Sequence, residues 1–279
     1  MVVFLNGKFV PEAKAVVSVF DRGFLYGDGL FEAIRVFNGR PFLWSSHWER
    51  LRQGAKFLKI KLPFPSEKLL ACAGELIAKN KLPDALLRIA LSRGLGAPGY
   101  LPHRANKPTL AMSLRPAPDI NPKTPPQWKL VVSSFRLMSG DPLACYKTAN
   151  KLPQVLARAE TAVAGADETL LVNTDRHVVE GASSNLFWVK HGAIYTPPLA
   201  AGILPGVTRA VVFEIAGRLN IPIQHQNIQA RDLLRMDGVF LSLTSRGIVE
   251  AKSLDGKALK KSPVTRLIAD AYRKILTNH

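Results

Sequence analysis

Cysteine is nearly absent. The 279 residues hold two, Cys72 and Cys145, too few and too far apart for a disulfide framework, a zinc cluster or a paired redox motif. Acidic residues are also scarce, 21 against 38 lysines and arginines, which leaves a formal charge of +17. No apolar run reaches membrane-spanning length, and the apolar start Met1–Leu5 is cut by Asn6-Gly7-Lys8. That pattern is neither a signal peptide nor a span, so the expected compartment is the cytoplasm and a membrane is not an expected partner. Internal repeats and low-complexity tracts are lacking. The six histidines include no helical metal pair, so no metal is expected, and no serine sits in a nucleophile elbow. The stretch Arg93-Gly94-Leu95-Gly96-Ala97-Pro98-Gly99-Tyr100 is rich in glycine but lacks the spacing and following helix of a dinucleotide fingerprint. The positive charge is spread along the chain, with one short cluster at Lys257, Lys260 and Lys261 and no nucleic-acid motif beside it. Nucleic acid is therefore not the expected partner, although a basic surface would draw anionic ligands.

What is present describes an ordinary folded protein. Apolar residues make up 47% and charged residues 21%, and the length suffices for two domains at roughly 150 residues each. Val2 to Leu5 and Lys8 to Val10 flank Asn6-Gly7, the chemistry of a tight hairpin turn, and Leu30 to Phe37 and Pro41 to Trp44 flank Asn38-Gly39 in the same way. Between the hairpins, Asp21 to Gly29 holds three glycines and reads as a site loop. Ser46-His47-Trp48-Glu49 has the form of a capping box and predicts a helix starting near His47. A helix over Ser66 to Asn80, a buried strand over Ala85 to Ser92 and a strand over Thr109 to Leu114 follow. Pro116, Pro118, Pro122, Pro125 and Pro126 then interrupt any regular element, which predicts a linker over 116–127 between domains at 1–115 and 128–279. In the second half, strands are expected at Trp128 to Ser134, Glu168 to Asn173, Val178 to Glu180, Asn185 to Val189, Val239 to Ser242 and Ile248 to Lys252. Helices are expected over Leu152 to Gly165, over Val207 to Leu219 with Val211, Ile215 and Leu219 on one stripe, and after Ser262-Pro263.

Four segments carry chemistry. Ala144-Cys145-Tyr146-Lys147-Thr148-Ala149-Asn150 places a lysine just before a helix, and Val178-Val179-Glu180-Gly181-Ala182-Ser183-Ser184-Asn185 places a carboxylate at a strand end. Tyr26-Gly27-Asp28-Gly29-Leu30-Phe31-Glu32 and Leu204-Pro205-Gly206-Val207-Thr208-Arg209 complete the set, the last at a helix start whose free amides attract phosphate. Together and in this order they resemble the class IV aminotransferases, a family of pyridoxal-phosphate enzymes that includes branched-chain and D-amino acid aminotransferases and aminodeoxychorismate lyases. The resemblance runs from about Phe4 to about Gly256. It implies fold type IV, an α/β (α+β) architecture with a small α/β N-terminal domain and a larger, barrel-like C-terminal domain that binds the cofactor, assembled as a homodimer. It implies pyridoxal 5′-phosphate held by Lys147 as a Schiff base, a lysine chemistry that makes the ring an electron sink. Glu180 would face the ring nitrogen, and Arg50, Gly206, Val207, Thr208 and Thr244 would serve the phosphate. Tyr26, Phe31, Arg93 and Ala97 would line the substrate site.

The resemblance is less specific for the reaction. Lyases and D-amino acid enzymes of the family usually carry an arginine where this chain has Ala97-Pro98, and lyases often have asparagine at Leu243 and threonine at Ala33. Arg35, Arg93, His103 or Arg104 could replace the missing charge. Branched-chain enzymes usually have a tyrosine near Lys151 and a different lysine segment. The favoured reading is an aminotransferase acting between an amino acid and a 2-oxo acid. The alternative is an aminodeoxychorismate lyase, and a basic nucleic-acid-binding protein stands third.

Overall fold

Strand alternation organises the first of two units in the computed structural model, which describes residues 1–103, 105, 107–120 and 124–279. That unit comprises Met1–Pro118, Tyr146–Asn150 and His279. Its strands are β1 (Val2–Leu5), β2 (Lys8–Pro11), β3 (Gly29–Phe37), β4 (Arg40–Pro41), β5 (Ala85–Ser92) and β6 (Thr109–Pro116), in the order β2-β1-β6-β5-β3-β4 and antiparallel throughout. Its helices are α1 (Arg22–Tyr26), α2 (Trp44–Leu58) and α3 (Ser66–Asn80). Because successive strand residues face opposite sides, Leu30, Ile34 and Val36 join Leu87, Ile89, Leu110 and Met112 in a core under α2 and α3, with Glu32 on the same side. The other face carries Phe31, Ala33, Arg88, Ala90, Ala111 and Ser113, a set dominated by small side chains.

Both predicted hairpin turns form, with Asn6 and Asn38 at φ 49° and 48° followed by glycines at positive φ. The second hairpin is shorter on its return side than expected: β4 ends at Pro41 and Trp44 already belongs to α2. The capping box is not made. Leu43, at φ 53°, is the N-cap without a side-chain bond, and Ser46 lies inside the first turn. Burial overrides the local signal here, since Trp44 is buried and its Nε1 donates to Ser66 Oγ at 3.0 Å.

The second unit comprises Asp119–Cys145 and Lys151–Asn278. Its strands are β7 (Gln127–Leu137), β8 (Glu168–Asn173), β9 (Val178–Gly181), β10 (Asn185–Lys190), β11 (Ala193–Thr196), β12 (Ile223–His225), β13 (Gly238–Leu243), β14 (Gly247–Leu254) and β15 (Lys257–Ala258). The path β10-β13-β14-β7-β8-β9 returns to β10 through the Glu180–Asn185 pair, so six strands close a barrel-like sheet, with β11, β12 and β15 appended. Closure removes sheet edges and buries β8, β10 and β13 nearly throughout, while β7 keeps exposed positions along its length. Helices α4 (Leu152–Val163), α5 (Val207–Arg218), α6 (Ala230–Leu233) and α7 (Pro263–Thr277) complete the unit, α7 capped by Ser262 Oγ accepting from Val264 N. The stripe expected on α5 holds for Val211 and Ile215 but not for Leu219, which lies past the helix end and is exposed. Among the described residues no helix is long and apolar enough to cross a membrane. The Pro122 part of the expected linker, and Arg104, lie outside the described residues.

Candidate functional site

Lys147 is positioned by main chain. Its segment lies along the edge of β3 that β4 leaves open: Phe31 N donates to Lys147 O at 3.0 Å, Ala149 N donates to Gly29 O at 2.9 Å, and Leu30 and Thr148 form a bridge. Although this segment falls within the 128–279 half of the chain, its contacts place it in the first unit. On one side Tyr146 stacks on Phe57 of α2 at 4.2 Å between ring centroids. On the other, Asn150 Nδ2 donates to the carbonyl of Gly27, where φ is +64° and a Cβ would strike the Asn150 carboxamide. The half-buried Lys147 side chain thereby sets Nζ 4.6 Å from the centre of the Phe31 ring.

A second cation meets that ring. Arg88 Cζ lies 4.1 Å from its centre, and both residues line a cavity of about 210 Å³ with Leu30, Ala90, Ala111 and Ala149. Sequence reasoning missed Arg88; the available signal was one arginine among the apolar residues of Ala85–Ser92. Arg35 and Arg93, considered there instead, are committed elsewhere. Arg35 donates to Pro118 O at 2.8 Å, and Arg93 grips both oxygens of Asp28 at 2.7 and 3.0 Å while donating to Leu58 O and Lys59 O. Tyr26 and Ala97 meet around Arg22, whose Nη1 lies 3.5 Å from Ala97 O and whose Cζ is 4.8 Å from the Tyr26 ring centre.

Arg50 is not an isolated phosphate ligand. Its Nε and Nη2 donate to the two oxygens of Glu32 at 2.8 and 2.7 Å, and His47 Nδ1 donates to Glu32 Oε2 at 2.8 Å. Burial alone would raise the Glu32 pKa, but the Arg50 and His47 hydrogen bonds outweigh it and hold the carboxyl at about 2. Burial lowers the His47 pKa against the pull of Glu32, so the imidazole is neutral at pH 7. An ionised carboxylate only accepts, which places the His47 proton on Nδ1. Glu32 was legible as a charge on the inward face of an apolar strand, but its partners were not.

In the second unit, barrel closure sets Glu180 opposite Asn185. Glu180 Oε2 accepts from Asn185 Nδ2 and from Leu204 N, both at 3.1 Å, and Asn185 Nδ2 also donates to Leu204 O at 2.9 Å. The carboxylate and the turn into α5 are thus tied through one residue, Leu204, with Asn185 as the tie that sequence reasoning left without a role. Gly206 is the α5 N-cap and offers no side chain to the first-turn amides of Val207 and the buried Thr208. A Cβ on Gly206 would collide with Asn185 Oδ1. Thr244 begins the turn between β13 and β14, and Gly247, at φ +70°, closes it where a Cβ would strike the Tyr272 ring. Burial lowers the pKa of Arg209 and of Lys151, and Glu180 opposes it in both cases.

Within the second unit, amides at an uncapped helix start and a carboxylate tied to the turn before it form a donor set of the kind that suits a phosphorylated pyridine. The family profile described as amino-transferase class IV matches residues 29–254. The chain belongs to the class IV aminotransferases. A putative branched-chain-amino-acid aminotransferase of Methanocaldococcus jannaschii is 36% identical over 281 residues, spanning 99% of this chain and 97% of that protein. The D-alanine aminotransferase of Staphylococcus aureus is 30% identical over 99% of this chain and 98% of its own length, and the aminodeoxychorismate lyase of Bacillus subtilis is 32% identical over 86% and 82%. Among solved structures, the branched-chain aminotransferase of Thermoproteus uzoniensis with norvaline gives a TM-score of 0.91 at 30% identity, covering 100% of this chain and 96% of that one. A T.th. branched-chain aminotransferase with pyridoxamine 5′-phosphate gives 0.92 at 27%, covering 99% and 94%. This class IV aminotransferase is therefore a fold type IV enzyme, and its cofactor is pyridoxal 5′-phosphate.

Proposed function

We propose that the chain transfers an amino group between an amino acid and a 2-oxo acid, with Lys147 as the reacting amine. Bound pyridoxal 5′-phosphate supplies the electron sink that acidifies the substrate α-carbon. Lys147 Nζ would take the proton from that carbon and deliver it to the cofactor's C4′ carbon, and would run the same transfer in reverse with the 2-oxo acid, a role for which the β3 edge holds it in place. Glu180, fixed by Asn185 and Leu204, would keep the ring nitrogen protonated, and the amides of Val207 and Thr208, with Thr244 and Arg50, would hold the phosphate. Phe31 and Arg88 hold the substrate, Arg88 pairing with a carboxylate.

The observation that carries the reading is the cavity beside Phe31. Among the described residues that line it, Arg88 is the single cation, and the one acid, Asp21, is already taken by Gly23 N and Thr109 Oγ1. An amino acid with one carboxylate and an apolar side chain satisfies that lining, whereas a dianionic chorismate derivative leaves one carboxylate without a charged partner in it. Residues 1–115 and 128–279 act in this reading as two domains joined at 116–127, in a cytoplasmic homodimer. Exposed apolar side chains in each unit, Phe20, Phe24 and Tyr100 in one and Leu152, Val155 and Val163 in the other, support self-association.

Purified holoenzyme offered a panel of L- and D-amino acids should change its visible spectrum with release of a 2-oxo acid, and a 2-oxo acid should restore it. Borohydride reduction and peptide mapping should place the label on Lys147; a label on another lysine rejects the assignment. Pyruvate and 4-aminobenzoate from aminodeoxychorismate, with no spectral response to any amino acid, would establish the lyase instead.

A further inference from the structure

The first unit contains a buried cluster that the reaction as described does not use. Asp28 lies between two arginines: Arg93, which grips both its oxygens, and Arg22, whose Nε donates to Oδ2 at 2.9 Å. Arg22 is only 3% exposed. One carboxylate cannot neutralise two guanidinium groups, and Arg22 meets the rest of its requirement with main-chain carbonyls of a single loop. Its Nη1 donates to Gly99 O at 2.8 Å, with Ala97 O at 3.5 Å, and its Nη2 donates to Tyr100 O at 3.0 Å. The same loop is tied twice more, by Arg22 N donating to Gly94 O at 2.9 Å and by Gly99 N donating to Tyr26 Oη at 3.1 Å. A Cβ on Gly96 would press against Arg22 Cδ, so the loop is shaped around this side chain. The two arginines divide the work, because Arg93 spends its remaining donors on Leu58 O and Lys59 O at the end of α2.

The helix that carries Arg22 also forms the cavity wall. Within α1, Arg22 and Tyr26 face the loop while Gly23 and Phe24 line the cavity that holds Phe31 and Arg88. Opening the loop would strip a buried guanidinium of its carbonyl acceptors, and a buried cation without acceptors is strongly disfavoured. Loop closure and the position of α1 are therefore linked through one side chain.

We propose that Arg22 is a positioning residue that holds the Ala97–Tyr100 loop closed and thereby sets the affinity of the enzyme for its amino acid. This rests on the aminotransferase reading for its kinetic part alone. Lysine keeps the charge of Arg22 but lacks the planar fork that reaches a carboxylate and two carbonyls together. Arg22→Lys holoenzyme should show faster hydrogen exchange in the peptide spanning 94–103 and a KM for the amino acid at least about tenfold higher, with kcat within about twofold, a split that marks lost substrate binding rather than lost chemistry. Should Arg22→Lys fail to fold, Tyr26→Phe, which removes one tie to Gly99 N, should raise exchange in the same peptide by a smaller factor. Wild-type exchange in the folded variants overturns the clamp whether or not the enzyme transaminates. Faster exchange with unchanged KM overturns the link to substrate. A wild-type enzyme without any transamination would count against the reaction assigned above and leave the exchange result to decide the clamp.

Discussion

Replacing Glu32 by glutamine removes the charge at the centre of the α2 network while keeping its volume. The carboxylate is fully buried and accepts three hydrogen bonds, two from Arg50 and one from His47. Its pKa falls from 4.5 in the free residue to about 2, and at about 1.4 kcal/mol per unit this corresponds to roughly 3 kcal/mol of stability. The cost of breaking a buried pair from one side, about 3–5 kcal/mol, agrees. Because the folded-state value is depressed, that stability is complete above pH 4.5 and is lost as pH falls towards 2; Asp28, also depressed, adds in the same direction. A glutamine turns an amide donor towards His47 or Arg50, which also donate, so it satisfies only part of the set. Urea unfolding followed by tryptophan fluorescence, in a variant with Trp128 and Trp188 replaced by phenylalanine so that only Trp44 and Trp48 on α2 report, should show Glu32→Gln less stable by about 3 kcal/mol at pH 7. The difference should shrink between pH 5 and 2.5 as wild type loses its advantage. Equal midpoints at pH 7, or a gap that stays constant down to pH 2.5, would refute the assignment of this carboxylate as the anionic anchor of Arg50 and His47.

Two further substitutions test the second unit. Gly206→Ala should fold normally, since φ at this position is −66°, but should displace Asn185 and weaken pyridoxal 5′-phosphate binding by about tenfold or more in a fluorescence titration; unchanged affinity would separate this turn from the cofactor. Glu180→Gln keeps an oxygen for Asn185 Nδ2 and Leu204 N, so cofactor retention and thermal midpoint should hold while turnover falls by at least about a hundredfold, and wild-type turnover would show that another group serves the ring nitrogen.

Local chemistry made several elements legible in the chain. Asn6-Gly7 and Asn38-Gly39 specify their turns because few residues tolerate positive φ, and helix α3 and strands β5 and β8 keep their expected limits because apolar period and breakers agree there. The order of the four motif segments was sufficient for the family, matched over 29–254. The start of α2 was not legible, because the burial of Trp44 outweighs the Ser46–Glu49 signal.

The site divides along the same line. Lys147, Glu180 and Thr208 stand out in sequence because each sits in a recognisable local pattern. What holds them does not. Lys147 is fixed by the edge of β3, Glu180 by the strand pair that closes the barrel, and Arg50 by a carboxylate on the inward face of another element. Arg22 reaches the carbonyls of a loop distant in the chain, and Arg88 becomes a ligand candidate only because Phe31 and small side chains open a cavity beside it. Residue type and neighbours decide which groups can do chemistry, and these are written in the sequence. Their partners are chosen by strand pairing and burial between segments far apart, which only the folded chain brings within hydrogen-bonding distance.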